Sequence, residues 1–493
     1  MSVQVEKRVS GEAKSSPVEW LTLPRVWALA AVLLAVAINQ SGMGSIDLAY
    51  HLRLGEGILR SHTLPRIAPL AYTTAHSSWT DQQWGAQVLF AEVFRKLGWG
   101  GLAVLAALIA AGIFAFVYLA CRATGHDRRR AAWLTLGAAV VSTPDLPMRP
   151  QLLAGLLFAA TVWAVSGRRT HPRRLWIVPL LVAVWANVHG SFFLAPLLLV
   201  LAWIEDRVDR APVASRTFMM APLSALASLL NPFGPKVWSY VASISTNPHI
   251  TKGVTEWQPP TIRSLGGALL FGSVAAVVVI LARRGGRTRW VHLLMLGVFL
   301  VLALDAGRNA LWWGLAAAPV MARVLSETPS RRREVQEIPL INWIFAGVLV
   351  VAVAVTFPWS LVGADRLHPG SRMQDTFPGI TTELQRTLHP GDRIFNAQEA
   401  GSWLEFAFPR NPVFVDSIIE AFPDRVWRQD SDISNGREGW QSLLQRWNVR
   451  AVVLTTTQPY PLLSYIRRDP GWRLDYSGED GYVFLRRGQN PPG

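Results

Sequence analysis

The amino-acid sequence predicts an α-helical polytopic membrane protein of about 11 transmembrane helices, followed by a C-terminal extracytoplasmic α/β domain. Three observations predict this fold class. Hydrophobic residues make up 51% of the 493 positions and charged residues only 16%, with mean hydropathy +0.24. That combination excludes a disordered chain, a collagen, a coiled coil and an ordinary soluble enzyme. The 48 Lys and Arg exceed the 33 Asp and Glu to leave a formal charge of +15. In a soluble protein such a charge points to nucleic acid, but here the basic residues sit in short clusters between apolar runs, as membrane topology requires, so no nucleic-acid partner is expected. Beyond residue 370 the apolar runs shorten to strand length, the mark of a separate α/β domain.

Residues 1–25, with Lys7, Arg8, Lys14 and Arg25, have no cleavable signal pattern and read as a cytoplasmic tail. The membrane domain, 26–361, divides into apolar runs at 26–44, 99–121, 131–147, 150–166, 175–188, 191–205, 217–231, 264–282, 290–304, 309–326 and 340–361. Several are shorter than the roughly 20 residues of an ideal span. The connectors alternate in charge as the positive-inside rule demands. The tail and the clusters Arg122/Arg128/Arg129/Arg130, Arg168/Arg169/Arg173/Arg174, Arg207/Arg210/Arg216, Arg283/Arg284/Arg287/Arg289 and Arg323/Arg331/Arg332/Arg333 fall on one side. The other side receives the long loop 45–98, tight turns near 148, 189 and 306, the loop 232–263, and everything after 362. An odd number of spans then puts residues 362–493 outside the cytoplasm.

In that last region, strand-like runs at Arg393-Ile-Phe-Asn, Pro412-Val-Phe-Val-Asp and Arg450-Ala-Val-Val-Leu-Thr alternate with amphipathic stretches such as Gly439–Trp447. Trp472–Tyr476 and Tyr482–Arg486, joined through Gly478-Glu-Asp-Gly, read as a β-hairpin. The single cysteine, Cys121, excludes a disulfide framework and a cysteine-rich metal site. No glycine-rich nucleotide fingerprint opens a helix, so neither a dinucleotide nor a nucleoside triphosphate site is expected.

Polar residues with chemical potential collect at the outer ends of the spans, which is the distribution of a site. Ser45–Leu59 reads as a helix lying on the membrane after the first span, with Asp47 and His51 one turn apart on one face. Asp47 is either a solvated acid that complements the helix dipole or a carboxylate held at the membrane surface as a general base, its pKa raised by partial desolvation. Next on that side come Ser77-Ser-Trp79-Thr-Asp81-Gln-Gln-Trp84, Arg149-Pro-Gln, Asn187-Val-His189, Asn231-Pro-Phe-Gly, Glu256-Trp257-Gln and Asp305-Ala-Gly-Arg308-Asn. Asn187 and His189 lie in or at the end of an apolar run, where an unpartnered polar group costs a few kcal/mol, so each meets a partner or lines a wet cavity. For Asn187 a helix–helix hydrogen bond and a ligand contact stand side by side. Arg149 and Arg308 are lone arginines on the side poor in them, suited to a lipid phosphate or to snorkelling as interface anchors. Trp79, Trp84 and Trp257 suit an aromatic belt or a sugar-stacking surface. Asp416 with Glu420 reads as a surface or structural pair.

Asp47 with His51, Gly55, Pro65, Tyr72-Thr, Trp79 and Trp84, then His189-Gly, Asn231-Pro-Phe-Gly and Glu256-Trp-Gln, resembles bacterial multi-span proteins of the GT-C glycosyltransferase superfamily, the dolichyl-phosphate-mannose mannosyltransferase-like group. Gly401-Ser-Trp, Pro412–Asp416 and Arg450–Leu454 fit the soluble domain that follows the spans in such proteins. The resemblance implies transfer of a sugar from a polyprenyl-phosphate carrier to an acceptor on the outer face by an inverting displacement. The acid of the first outer loop, here Asp47, is the base, and His51 orients it or binds the donor phosphate. Arg149 and Arg308, with His189 and Asn187, are the phosphate or donor candidates by charge and position; Trp79, Asp81, Trp84, Glu256 and Trp257 are the acceptor or sugar candidates. The sequence departs from the family's pattern at Gln82-Gln83, where an acidic residue often precedes the Trp that is here Trp84. No cofactor is expected, and a divalent metal such as Mg or Mn, though compatible, is not indicated.

The expected partners are a polyprenyl-phosphate sugar donor, an envelope glycan, lipid or protein as acceptor, and membrane lipids. Two competing readings remain at this stage: a non-enzymatic carrier or flippase for a lipid-linked or anionic solute, and an inactive scaffold that retains the fold. The preference for Arg over Lys and the many Ala and Trp residues point to a GC-rich bacterial genome and so to a bacterial cytoplasmic membrane, with the N-terminus cytoplasmic.

Overall fold

The computed structural model describes residues 21–40, 44, 46–74, 78–125, 127–284, 288–326, 338–373 and 375–488. Most of the expected N-terminal tail, Ser77, Arg287 and Arg331–Arg333 lie outside the described residues. Fourteen helices come first: α1 (Leu23–Asn39), α2 (Ile46–Ser61), α3 (Trp84–Gly125), α4 (Arg128–Ser142), α5 (Pro150–Ser166), α6 (Ile177–Trp185), α7 (Leu194–Val208), α8 (Ala214–Ala227), α9 (Lys236–Thr246), α10 (Pro248–Gly253), α11 (Leu265–Arg284), α12 (Trp290–Asp305), α13 (Ala310–Ser326) and α14 (Pro339–Thr356). A helix overlaps each of the eleven apolar runs, with ends that differ from them by up to 15 residues at the start of α3. By length and composition three of them, α3, α11 and α14, are long and apolar enough to cross a membrane. Along α14 the side chains of Leu340, Ile344, Val348, Val351 and Val355 stand exposed one turn after another, an apolar stripe suited to lipid.

The loop 45–98 differs in structure from a plain connector. It contains α2 and, from Trp84, a helix that runs on into the next apolar run with a break at Gly98 (φ 61°, ψ −158°). Gly98 takes a backbone conformation that a side chain disfavours, so the chain turns there without a loop. A Cβ on Gly55 of α2 would lie 2.1 Å from the carbonyl oxygen of Gln87 in α3. Only glycine lets the two backbones approach this closely.

At the end of the bundle away from α2, the arginine clusters meet acids from their neighbours. Arg168 pairs with Asp206 at 2.8 Å and Glu205 at 2.6 Å, Arg169 with Asp209 at 2.8 Å, and Arg289 and Arg323 join the same acids. The ends of α5, α7, α12 and α13 thus share one face, as the charge alternation of their connectors implies.

The C-terminal region continues with α15 (Pro378–Thr387), β1 (Arg393–Asn396), α16 (Gln398–Ala407), α17 (Asp424–Ser434), α18 (Trp440–Arg446), β2 (Val449–Thr455), α19 (Leu462–Ile466), β3 (Trp472–Ser477) and β4 (Gly481–Arg486). The four strands form one sheet in the order β1-β2-β4-β3, with β1 parallel to β2 and the other pairs antiparallel. The hairpin forms as the sequence predicts. The stretch Pro412–Asp416 is not a strand: Val413 makes only isolated bridges, to Ile394 and to Ala71 of the outer loop. Its backbone is satisfied instead by a side chain, the Asn396 carboxamide, which accepts from Phe414 N at 3.0 Å and donates to Val415 O at 2.8 Å. Tyr72 N donates to Val413 O at 3.1 Å and Thr73 Oγ1 to Phe414 O at 2.6 Å. The 412–413 segment therefore lies along the free edge of β1, between that strand and the 71–73 stretch of the loop.

The domain docks on the bundle through α16 against α2. Gly401 in α16 sits where a Cβ would meet the Val415 carbonyl oxygen at 2.1 Å, which brings the 413–420 segment down onto the outer end of α2. One hydrophobic core runs from the helices into the sheet without a break.

Candidate functional site

The first turn of α2 carries Asp47, an acid where the helix dipole favours negative charge, and His51 follows one turn later, buried against the Tyr50 ring with centroids 4.0 Å apart. Arg149 precedes Pro150, which opens α5; a residue before proline is pushed out of helical geometry, and Arg149 is extended (φ −138°, ψ 165°), so its side chain leaves the helix end instead of continuing it. Arg308 sits in the tight turn between α12 and α13, tied to the 255–257 turn by Gly307 N donating to Gln258 O at 3.0 Å. These elements converge on a cavity of about 430 Å³ lined by Asp47, Tyr50, His51, Arg149, Gln151, His189, Tyr240, Glu256, Trp257 and Arg308. The C-terminal domain closes it with Gln398, Glu399, Ser417, Ile419 and Glu420.

Arg149 donates to Glu256 and stands 3.8 Å from the Asp47 carboxylate. Arg308 lies 3.3 Å from the other oxygen of Glu256 and 4.8 Å from the centre of the Trp257 ring. A reciprocal pair of bonds holds it in place, Arg308 Nη2 to Gln151 Oε1 at 2.7 Å and Gln151 Nε2 to Arg308 O at 3.0 Å. His189 Nδ1 accepts from Ser191 N at 3.1 Å. A neutral ring whose Nδ1 accepts carries its proton on Nε2, and that nitrogen lies 3.5 Å from Arg308 Nη2. Arg308 and His189 thus meet at one edge of the cavity.

Burial raises the Asp47 carboxyl above its ordinary value, with Arg149 pulling the other way. Burial lowers both histidines to about 3, helped by Arg149 beside His51 and by Arg308 beside His189, so both are neutral and the cations of the site are its arginines. Burial would also raise Glu256, but Arg308 and Arg149 together outweigh it and hold that carboxyl below its ordinary value.

A second cavity of about 430 Å³ adjoins the first and shares Gln83, His189, Tyr240, Ile244, Trp257 and Arg308 with it. Its remaining wall is largely apolar, with Phe193, Leu194, Val241, Leu302 and Trp312.

Of the residues that the sequence singles out, Asp47, His51, Arg149, His189, Glu256, Trp257 and Arg308 line the first cavity. Four others stand outside it. Asn187 accepts from Trp84 Nε1 at 2.9 Å and donates to Ala183 O and Leu230 O, so of the two kinds of partner the sequence allows it, its amide meets the protein's own. Trp84 is the other half of that bond. Asp81 is buried and accepts from Gln87 at 2.7 Å. Trp79 supports the cavity from behind, donating to Glu420 Oε1 at 3.1 Å. Glu420 itself is a cavity residue, not a surface partner of Asp416: it also accepts from Tyr240 OH at 2.7 Å, while Asp416 is buried and accepts from Ile418 N at 2.6 Å. Sequence reasoning passed over Gln151, Tyr240 and Glu399 as well. Gln151 has a visible signal, its place in the polar Arg149-Pro-Gln step at a span end, whereas Tyr240 and Glu399 have none. No group of three or more His, Cys, Asp or Glu is placed to hold a metal ion among the described residues.

The helical bundle, the helix α2 carrying an acid and the capping α/β domain form a fold shared with solved membrane glycosyltransferase structures. Solved structures with this architecture include the oligosaccharyltransferase AglB of Archaeoglobus fulgidus in complex with an inhibitory peptide and a dolichol-phosphate, with TM-score 0.52 and 13% identity over 87% of this chain and 69% of that one. The same enzyme tethered to an acceptor peptide containing the NVT sequon gives TM-score 0.56 and 13% identity over 94% and 74%. ArnT of Cupriavidus metallidurans in the apo state gives TM-score 0.53 and 15% identity over 92% and 96%. No family model and no curated protein sequence matches the chain.

Proposed function

We propose that the protein is a membrane glycosyltransferase that moves a sugar from a polyprenyl-phosphate-linked donor to an acceptor on the extracytoplasmic face of a bacterial cell membrane. The observation that carries this reading is the pairing of the two cavities: Asp47, Arg149 and Arg308 line the first, and Arg308 with His189 and Trp257 is shared with the second, whose remaining wall is largely apolar. An isoprenoid tail fits the apolar side and a phosphate fits the arginines, which can bind it through paired charge-assisted bonds. That the archaeal neighbour holds a dolichol-phosphate supports the same class of donor.

In the proposed reaction the acceptor oxygen attacks the anomeric carbon from the side opposite the phosphate, inverting it. The bond from that carbon to the phosphate oxygen breaks, the acceptor proton passes to Asp47, and polyprenyl phosphate leaves. Asp47 suits a general base because burial lifts its pKa toward the working range. The charge that develops on the leaving phosphate is met by Arg149, Arg308 and the Nε2–H of His189, preorganised by Glu256, Gln151 and Ser191. In this reading the arginines supply the positive charge and no divalent metal is required. Residues before α1 lie in the cytoplasm, and the face bearing α2 and the C-terminal domain lies outside, away from the arginine-rich connectors.

The test is a mass-spectrometric comparison of envelope glycans and polyprenyl-linked sugars in a deletion strain carrying the wild-type chain or Asp47→Asn, at matched membrane levels. The reading expects the variant to match the deletion, losing one glycan and accumulating its lipid-linked donor. A normal glycan profile from the variant contradicts it.

A further inference from the structure

The charges that line the first cavity are unequally distributed between its two walls. On the bundle side Arg149 and Arg308 are matched by Asp47 and Glu256, a cluster of balanced charge. On the side of the C-terminal domain stand Glu399 and Glu420, and no Lys or Arg joins them in the lining. Neither carboxylate has a salt bridge among the described residues. Glu420 takes Trp79 and Tyr240 on Oε1, and Glu399 takes the hydroxyls of Thr455, Thr457 and Tyr460 with the amide of Gln458. Neutral donors of this kind fix a carboxylate's direction without supplying a balancing positive charge. Glu420 has both donors on one oxygen, which leaves Oε2 for the cavity it lines.

A donor phosphate adds negative charge to a cavity where carboxylates already outnumber guanidiniums. A cation restores the balance, and no group of three or more His, Cys, Asp or Glu is placed to hold a metal ion among the described residues. A molecule long enough to place an ammonium near Glu420 and Glu399 while its hydroxyl reaches Asp47 satisfies it. Ser417 and Gln398, on the same wall, add partners for hydroxyls.

We propose that the wall formed by Glu399 and Glu420 is the acceptor subsite, and that the acceptor it selects is an amino sugar bearing a protonated amine as well as the hydroxyl to be glycosylated. This rests on the glycosyltransferase reading for the meaning of the word acceptor, but the cation recognition is measurable without turnover. The bond changes are those of the proposed transfer; the amine stays protonated and takes no part in them.

The experiment measures binding of methyl β-glucosaminide, its N-acetyl derivative and methyl β-glucoside to the purified full chain in nanodiscs at pH 7, for the wild type, Glu420→Gln, Glu399→Gln and the double variant. Each glutamine keeps an acceptor oxygen for the existing donors, and thermal melting of every variant establishes that the fold is retained. The wild type is expected to bind the amine about tenfold more tightly than either neutral glycoside, as loss of one charge-assisted bond implies. Each single variant should reduce that preference, and the double variant should abolish it. Equal affinities in the wild type, or a preference that survives the double variant, overturn the proposal. Amine selectivity that follows the two glutamates in a protein that transfers no sugar upholds the subsite and contradicts the proposed function instead.

Discussion

The guanidinium of Arg149 stands 3.8 Å from the Asp47 carboxylate while it donates to Glu256. One cation thus faces two acids from different parts of the chain, the start of α2 and the 255–257 turn. Removing it takes one cation from beside both carboxylates and leaves Arg308 alone beside Glu256. Arg149→Gln is expected to lower donor affinity by roughly 10- to 100-fold, the range for a lost charge-assisted bond, with Arg149→Lys intermediate because it keeps charge but not the planar fork. Titration of each variant with polyprenyl phosphate in nanodiscs measures this, and wild-type affinity in Arg149→Gln contradicts it. A chelator such as EDTA is expected to leave wild-type transfer unchanged.

Gln151 acts through Arg308, with one bond to the side chain and one to the backbone. Gln151→Leu is expected to raise KM for the donor several-fold and leave the pH profile of kcat unmoved, since Asp47 is untouched. A changed pH profile with unchanged KM would remove Gln151 from the positioning role.

Asn187 joins Trp84 to two backbone carbonyls. Asn187→Leu removes three hydrogen bonds, two of them part-buried, and is expected to cost about 1 kcal/mol of stability. Thermal melting in detergent should fall while KM of the folded protein stays at the wild-type value.

Asp81 supplies a pH signature. Burial raises its carboxyl from 3.8 to about 7, with the Gln87 bond lowering it less. A folded-state pKa above the unfolded one means that the neutral form is favoured by folding, so its stabilisation is full below about pH 4 and is lost as pH rises through 7. Asp81→Asn, which still accepts from Gln87, should flatten the decline of Tm between pH 4 and 7. An equal slope in both proteins contradicts the assignment.

Much of this site was legible because of an asymmetry that lipid imposes: apolar spans have no use for Arg149, Arg308 or His189 at their outer ends, so their presence there is informative. The same logic leaves Asn187 open, because a polar side chain inside an apolar run signals a partner without saying whether that partner is a helix or a ligand. Glu420 was missed for a different reason. It belongs to a water-exposed domain where acids are commonplace, and only docking of α16 on α2 brings it over the cavity. The strand expected at Pro412–Asp416 failed because periodicity reports burial, and burial there is achieved by packing against the outer loop, with Asn396 taking over the backbone bonds.

The central claim is that Asp47 removes the acceptor proton during sugar transfer. The most direct measurement is the single-turnover release of polyprenyl phosphate from polyprenyl-phosphate sugars, in membranes that supply the native acceptor, for wild type and Asp47→Asn across pH. The wild-type rate is expected to rise with pH through a value above the ordinary carboxylate range, as its raised pKa directs, and Asp47→Asn to lose on the order of 10²–10⁴ in rate with the pH dependence abolished. Release by Asp47→Asn at the wild-type rate, with the same pH profile, would contradict the account.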